Sequence, residues 1–145
     1  MDILTGMRVS ASGMAAQRTR MNTISSNIAN INTTRSPEGG PYRRKDVVLE
    51  SMPEAKSFGE MLTNAPQKDV QRVQVTDVTV DHKAPLMKYE PDHVDADENG
   101  YVAYPNINLM EEMANMIQAS RSYEANVAAM NATKDMAMTS LEIGR

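Results

Sequence analysis

All seven prolines of this 145-residue chain fall between Pro37 and Pro105, and that confinement limits its fold more than any other feature. Proline lacks an amide donor and clashes with the preceding helical turn, so the flanks are free to form long helices and the middle is not. In the first flank, apolar residues recur at alternating three and four spacing: Leu4, Met7, Ala11, Met14, Met21 and Ile28, flanked by Ile3, Ile24 and Ile31. This is the heptad pattern of a coiled-coil helix. Two positions on its seam, Arg18 and Ser25, are polar, and the patch Ser10-Ala11-Ser12-Gly13 with Ala15-Ala16 is small enough for close helix approach. Asn30 to Thr34, followed by Ser36-Pro37, favours local backbone bonds and ends the helix.

The far flank repeats the design. Asn108 followed by Glu111 resembles a capping box, and the spacing runs from Leu109 through Met113, Met116, Ser120, Tyr123, Val127, Met130, Lys134, Ala137 and Leu141, with Gly144 as the stop. A helix of that span is roughly 50 Å long, more than so small a chain needs around its own core. Between the flanks, Val70, Val73, Val75, Val78 and Val80 nearly alternate with polar residues and predict one or two strands, with a helical turn at Ser57–Leu62 and another strand at Tyr101–Tyr104. The expected fold is mainly α with a small β and loop middle, its two long terminal helices pairing as a coiled coil. The expected division is residues 1–35, 36–106 and 107–145, first helix, middle and last helix.

Composition narrows the function. Thirteen Met against one Phe and no Trp give a soft, adaptable apolar surface that suits packing against several slightly different neighbours. Net charge is −4, but residues 1–45 carry seven Lys/Arg against two Asp/Glu, while residues 46–145 carry eight against seventeen. A positive head and a negative body either favour contact between molecules or are both simply solvated. Nucleic-acid binding is not expected from an acidic chain with few aromatics. There is no Cys, which removes disulfides and thiolate metal sites. Neither a cleaved leader nor a membrane-spanning run is expected, so direct membrane insertion is not expected either.

Three candidate chemistries arise in the middle. Asp95-Ala96-Asp97-Glu98-Asn99-Gly100 fits the first half of a calcium loop and supports an alternative reading as a small calcium-responsive binding module. The twelfth position is Asn106 instead of Glu, and Pro91 and Pro105 deny flanking helices, so a turn ahead of a strand is the simpler reading. Asp95 with Asp97, or Glu90 with Asp92, forms the carboxylate pair a wall-cleaving glycosidase would need, but little apolar cover surrounds them to raise one pKa. His82 and His93 stand alone, without a nucleophile. No catalytic residue, metal site or cofactor is expected. Tyr42-Arg43-Arg44-Lys45 is a compact basic run, either a solvated loop or a docking loop for an acidic neighbour.

Ser25-Ser26-Asn27-Ile28-Ala29-Asn30-Ile31-Asn32-Thr33 resembles the N-terminal signature of bacterial flagellar rod and hook proteins. Ser10 to Met14 with Gln17-Arg18, Pro41 to Lys45, Tyr89 to Asp97, Gly100-Tyr101-Val102 and Arg121 to Val127 narrow the resemblance to the proximal-rod branch of the flagellar basal-body rod family, over nearly the whole chain. Val94 stands where that branch is expected to carry Pro. The resemblance implies a non-enzymatic subunit of the axial tube, exported by the flagellum's own type III apparatus into the periplasmic space. Its implied partners are copies of itself, other rod proteins, and the basal ring and export-gate components below. It also adds Asn27 and Asn30 of the signature to an expected interface set of Leu4, Met7, Ala11, Met14, Met21, Ile28, Met113, Met116, Tyr123, Val127, Met130 and Leu141.

Overall fold

The structure is a computed structural model that describes residues 3–37, 39–53 and 70–143. It has two long helices, α1 (Ile3–Ala29) and α2 (Leu109–Ile143), and between them strands β1 (Lys45–Pro53), β2 (Gln71–Val80), β3 (Leu86–Tyr89) and β4 (Tyr101–Tyr104). The expected architecture of terminal helices around a small β middle is therefore the one observed. The helical turn expected at Ser57–Leu62 and the stop at Gly144 lie outside the described residues.

Local chemistry explains both helix ends. Asn108 Oδ1 accepts the amides of Met110 at 3.0 Å and Glu111 at 3.5 Å, so two of the free first-turn donors are satisfied. Glu111 and Glu112 then place negative charge in the first turn, where the helix dipole favours it. At the other junction, the Asn30 amide and side-chain Nδ2 both donate to the Ser26 carbonyl, at 3.1 and 2.8 Å. Thr33 Oγ1 bonds in turn to Asn30 Oδ1, so the polar run after Ala29 replaces helix bonds with turn bonds.

The helices run antiparallel. Asn27 bonds to Glu112, Gly13 faces Asn126 and Gly6 faces Thr133, so each seven-residue step along α1 is matched by seven residues back along α2. The backbones approach closely at Gly13: a Cβ there would lie 2.8 Å from Asn126 Oδ1. The buried core is small, with Ala16 and Ile24 from α1, Ala119 from α2, and Val102 and Ile107 from the segment leading into α2.

β1 and β2 form one antiparallel ribbon, from Lys45 opposite Val80 to Pro53 opposite Gln71, with an irregularity at Val48/Leu49. The ribbon is pinned to α1 where the Val73 amide donates to Ser12 Oγ at 3.2 Å. β3 and β4 form a second pair, with Leu86 opposite Tyr104 and Tyr89 opposite Tyr101. The turn between them closes on Gly100, whose φ of 79° and 2.9 Å gap from an added Cβ to Tyr89 Cε2 leave no room for a side chain.

Candidate functional site

Two of the most deeply buried side chains in the described structure are polar. Asn27 is 0% exposed and Glu112 is 1% exposed, and they meet at the junction of α1, α2 and the loop leading into β1. Asn27 Nδ2 donates to Glu112 Oε2 at 3.0 Å and to the Lys45 carbonyl at 2.8 Å. Asn27 Oδ1 accepts from the Lys45 amide at 3.0 Å and the Tyr42 hydroxyl at 3.1 Å. Both donors and both lone pairs of the amide are thus used, which is the condition under which a polar group can be buried without a large penalty. Glu112 Oε1 accepts from Arg44 Nε at 2.8 Å, and Arg44 Nη1 reaches Asp46 at 3.2 Å. Burial pulls the Arg44 guanidinium down, but the hydrogen bonds and charges of Glu112 and Asp46 outweigh it and leave its pKa raised. One carboxylate therefore clamps the first helix, the loop and the last helix together.

This clasp uses much of the basic run. Tyr42 and Arg44 point inward to Asn27 and Glu112, while Arg43 Nη1 donates to His82 Nδ1 at 2.9 Å, which leaves the proton of a neutral ring on Nε2. A second tether joins Thr34 Oγ1 to Asp95 Oδ2 at 2.8 Å. Asp97 Oδ1 accepts the amides of Asn99 and Tyr101 and holds a turn, so Asp95 and Asp97 of the calcium-loop reading each have an oxygen engaged within the chain. Among the described residues no group of three His, Cys, Asp or Glu is arranged to hold a metal.

The apolar residues tell a different story from the clasp. In-chain contact between the helices runs through Gly6, Gly13 and Asn27 on α1 and Glu112, Asn126 and Thr133 on α2. The stripe singled out from the heptad spacing lies one position beside that line on α1: Met7, Met14, Met21 and Ile28 are half-buried, as is Asn30, and Leu4 and Ala11 are exposed. On α2, Met116, Tyr123, Val127 and Met130 are half-buried, and Met113 and Leu141 are exposed. The structure also exposes Met110, Ile117, Met136, Met138 and Ile143, which the spacing argument did not single out. Glu112 and Arg44 escaped it as well: a Glu in a first helical turn is ordinarily a dipole partner, and nothing local marks it as buried.

Two long helices with a small core, apolar side chains left exposed toward both ends of α2 and a polar clasp at one end define an assembly protein. Residues 7–35 match the family model for flagella basal body rod proteins, and residues 98–143 match the C-terminal model of flagellar basal body rod FlgEFG proteins. The chain is 43% identical to the flagellar basal-body rod protein FlgC of Bacillus subtilis over 96% of both chains. It is 40% identical to FlgC of Borreliella burgdorferi over 99% of this chain and 98% of that one, and 35% identical to FlgC of Salmonella typhimurium over the full length of both. The chain belongs to the FlgC family of flagellar basal-body rod proteins.

Proposed function

We propose that the chain is a structural subunit of the flagellar basal-body rod that joins its neighbours through the outward stripes of its two helices. The observation that carries this is the apolar surface left on α2 after α1 has packed: Ile117 is 53% exposed and Leu141 is 76% exposed, on a helix of 35 residues. Scattered exposed apolar residues are ordinary, but clusters such as Met110, Met113 and Ile117 at the start of α2 and Met136, Met138, Leu141 and Ile143 at its end mark a surface that another chain covers. The FlgC relatives supply the context of other rod proteins.

In this reading residues 1–35 and 107–145 form the axial helical layer and residues 36–106 sit over it. The interface is made by Leu4, Met7, Ala11, Met14, Met21, Ile28, Met113, Met116, Tyr123, Val127, Met130 and Leu141 of each copy against copies and other rod proteins. The subunit works in the proximal part of the rod, within the periplasm, after export by the flagellum's own apparatus, with ring and export-gate components at its base. It transmits torque by many distributed apolar contacts and performs no catalysis. The calcium reading lacks comparable support, since the Asp95 and Asp97 oxygens already serve the tether and the turn.

Ile117→Asp and Leu141→Asp test it, because both side chains are exposed and neither change disturbs the in-chain core. Cells carrying either variant should make a folded chain yet build no complete rod and fail to swim. Normal rods and swimming from both variants would end the proposal.

A further inference from the structure

α1 has 27 residues and α2 has 35, so the shorter helix fits along the longer one in two positions a heptad apart. In the observed register Gly6 faces Thr133 and Gly13 faces Asn126. A slip of one heptad would put Gly6 opposite Ser140 and still keep all of α1 against α2, with the helix shifted by about 10 Å. Gly6 and Gly13 offer no knobs to resist such a slip, and on that line the Arg20 side chain would come opposite Asn126. Helix length does not choose between the two positions.

We infer that the clasp chooses: Asn27 and Glu112 are positioning residues that fix the axial register of the helix pair. In the slipped register Asn27 would face the neighbourhood of Ala119, a buried apolar position, and its amide would lose Glu112. Glu112 would in turn keep no Asn27 and Arg44 would be carried away with the loop that follows α1. A polar group stranded in an apolar seam is the device by which a buried Asn selects one register in coiled coils, and a buried carboxylate without its partners is penalised more heavily still. The slipped population of the parent chain should therefore stay below about one in a hundred. Register matters for function because it decides how far the end of α2, with Leu141 and Ile143, projects beyond the start of α1. The inference itself does not depend on what that end touches.

The absence of native Cys makes the test direct. In the full chain, Gly6→Cys with Thr133→Cys reports the observed register, since a Cβ at Gly6 lies 3.7 Å from the Thr133 side chain. Gly6→Cys with Ser140→Cys reports the slip. Each pair is oxidised in the parent background and in Asn27→Leu/Glu112→Leu, where neither helix carries a polar group of the clasp, with helix content checked by circular dichroism. The parent should give the first cross-link almost alone, and the double-Leu variant should raise the ratio of second to first by at least about tenfold. If that variant loses its helix signal, Glu112→Gln, which keeps shape and the Asn27 bond, should still raise the ratio several-fold. Equal yields of both cross-links in the parent would overturn the inference. So would an unchanged ratio in a helical variant, which would assign the register to the packing of Val102 and Ile107 instead.

Discussion

Replacing Asn27 by Ala should cost about 3 to 4 kcal/mol of stability, because it deletes every bond of a fully buried amide. The charged bond to Glu112 contributes about 1.5 to 3 kcal/mol and each neutral bond about 1 kcal/mol. Part of that sum returns. The Tyr42 hydroxyl lies 3.3 Å from Ser26 Oγ and can turn to it, and Glu112 keeps Arg44. In a chain of 145 residues the remaining loss should lower the melting temperature by roughly 10 °C. Urea unfolding followed by circular dichroism at 222 nm measures it, with Ser26→Ala as the control. Ser26 sits beside the clasp on the same helix but is exposed, so its loss should stay below about 0.5 kcal/mol. A loss below about 1 kcal/mol for Asn27→Ala, or equal losses for the two variants, would refute the reasoning that the clasp ties the helices together.

Two further outcomes follow from particular contacts. Gly13→Ala should destabilise by about 1 kcal/mol, because overpacking against Asn126 outweighs the helix propensity gained. In an Asn126→Ala background the same change should become stabilising by about 0.5 kcal/mol, a reversal of sign readable by urea unfolding. Acid should weaken the β3–β4 unit. Glu90 is held below the ordinary carboxylate range by its hydrogen bonds from Lys88 and then Tyr104, and Asp81 is held low first by the Lys83 amide. A carboxylate whose folded pKa is depressed contributes stability above its unfolded value, and that contribution disappears as pH falls through the folded one. Hydrogen-exchange protection at Leu86–Tyr89 and Tyr101–Tyr104, after correction for the intrinsic slowing of amide exchange in acid, should therefore fall below about pH 4.5, and Glu90→Gln should flatten that dependence.

The helices were legible because heptad spacing and proline confinement are properties of the chain alone. The cap was legible too, since Asn108 needs only its next few residues to do its work. Which stripe α1 turns toward α2 was not. Periodicity weights the large apolar side chains of Met7, Met14 and Met21, whereas the in-chain contact selects Gly6 and Gly13, where backbones can approach. The two stripes are one residue apart and share a period, so spacing does not separate a self-facing line from a neighbour-facing one. β1 was not singled out, because Lys45–Pro53 becomes a strand only by pairing with β2 across a long connection. The clasp was hidden for the same reason: Asn27, Arg44 and Glu112 are far apart in sequence and ordinary in their own segments. Val94, which departs from the family's expected Pro, is 96% exposed, and nothing in the described structure depends on it.

The central claim is that the open stripes of the two helices are covered by neighbours in the rod. A density map of intact basal bodies from cells carrying this chain tests it most directly. The account predicts, in each subunit, antiparallel helices of roughly 40 and 50 Å with Ile117 and Leu141 packed against adjacent subunits. Subunits whose helices touch only one another, with those two side chains facing open water in the finished rod, would contradict it.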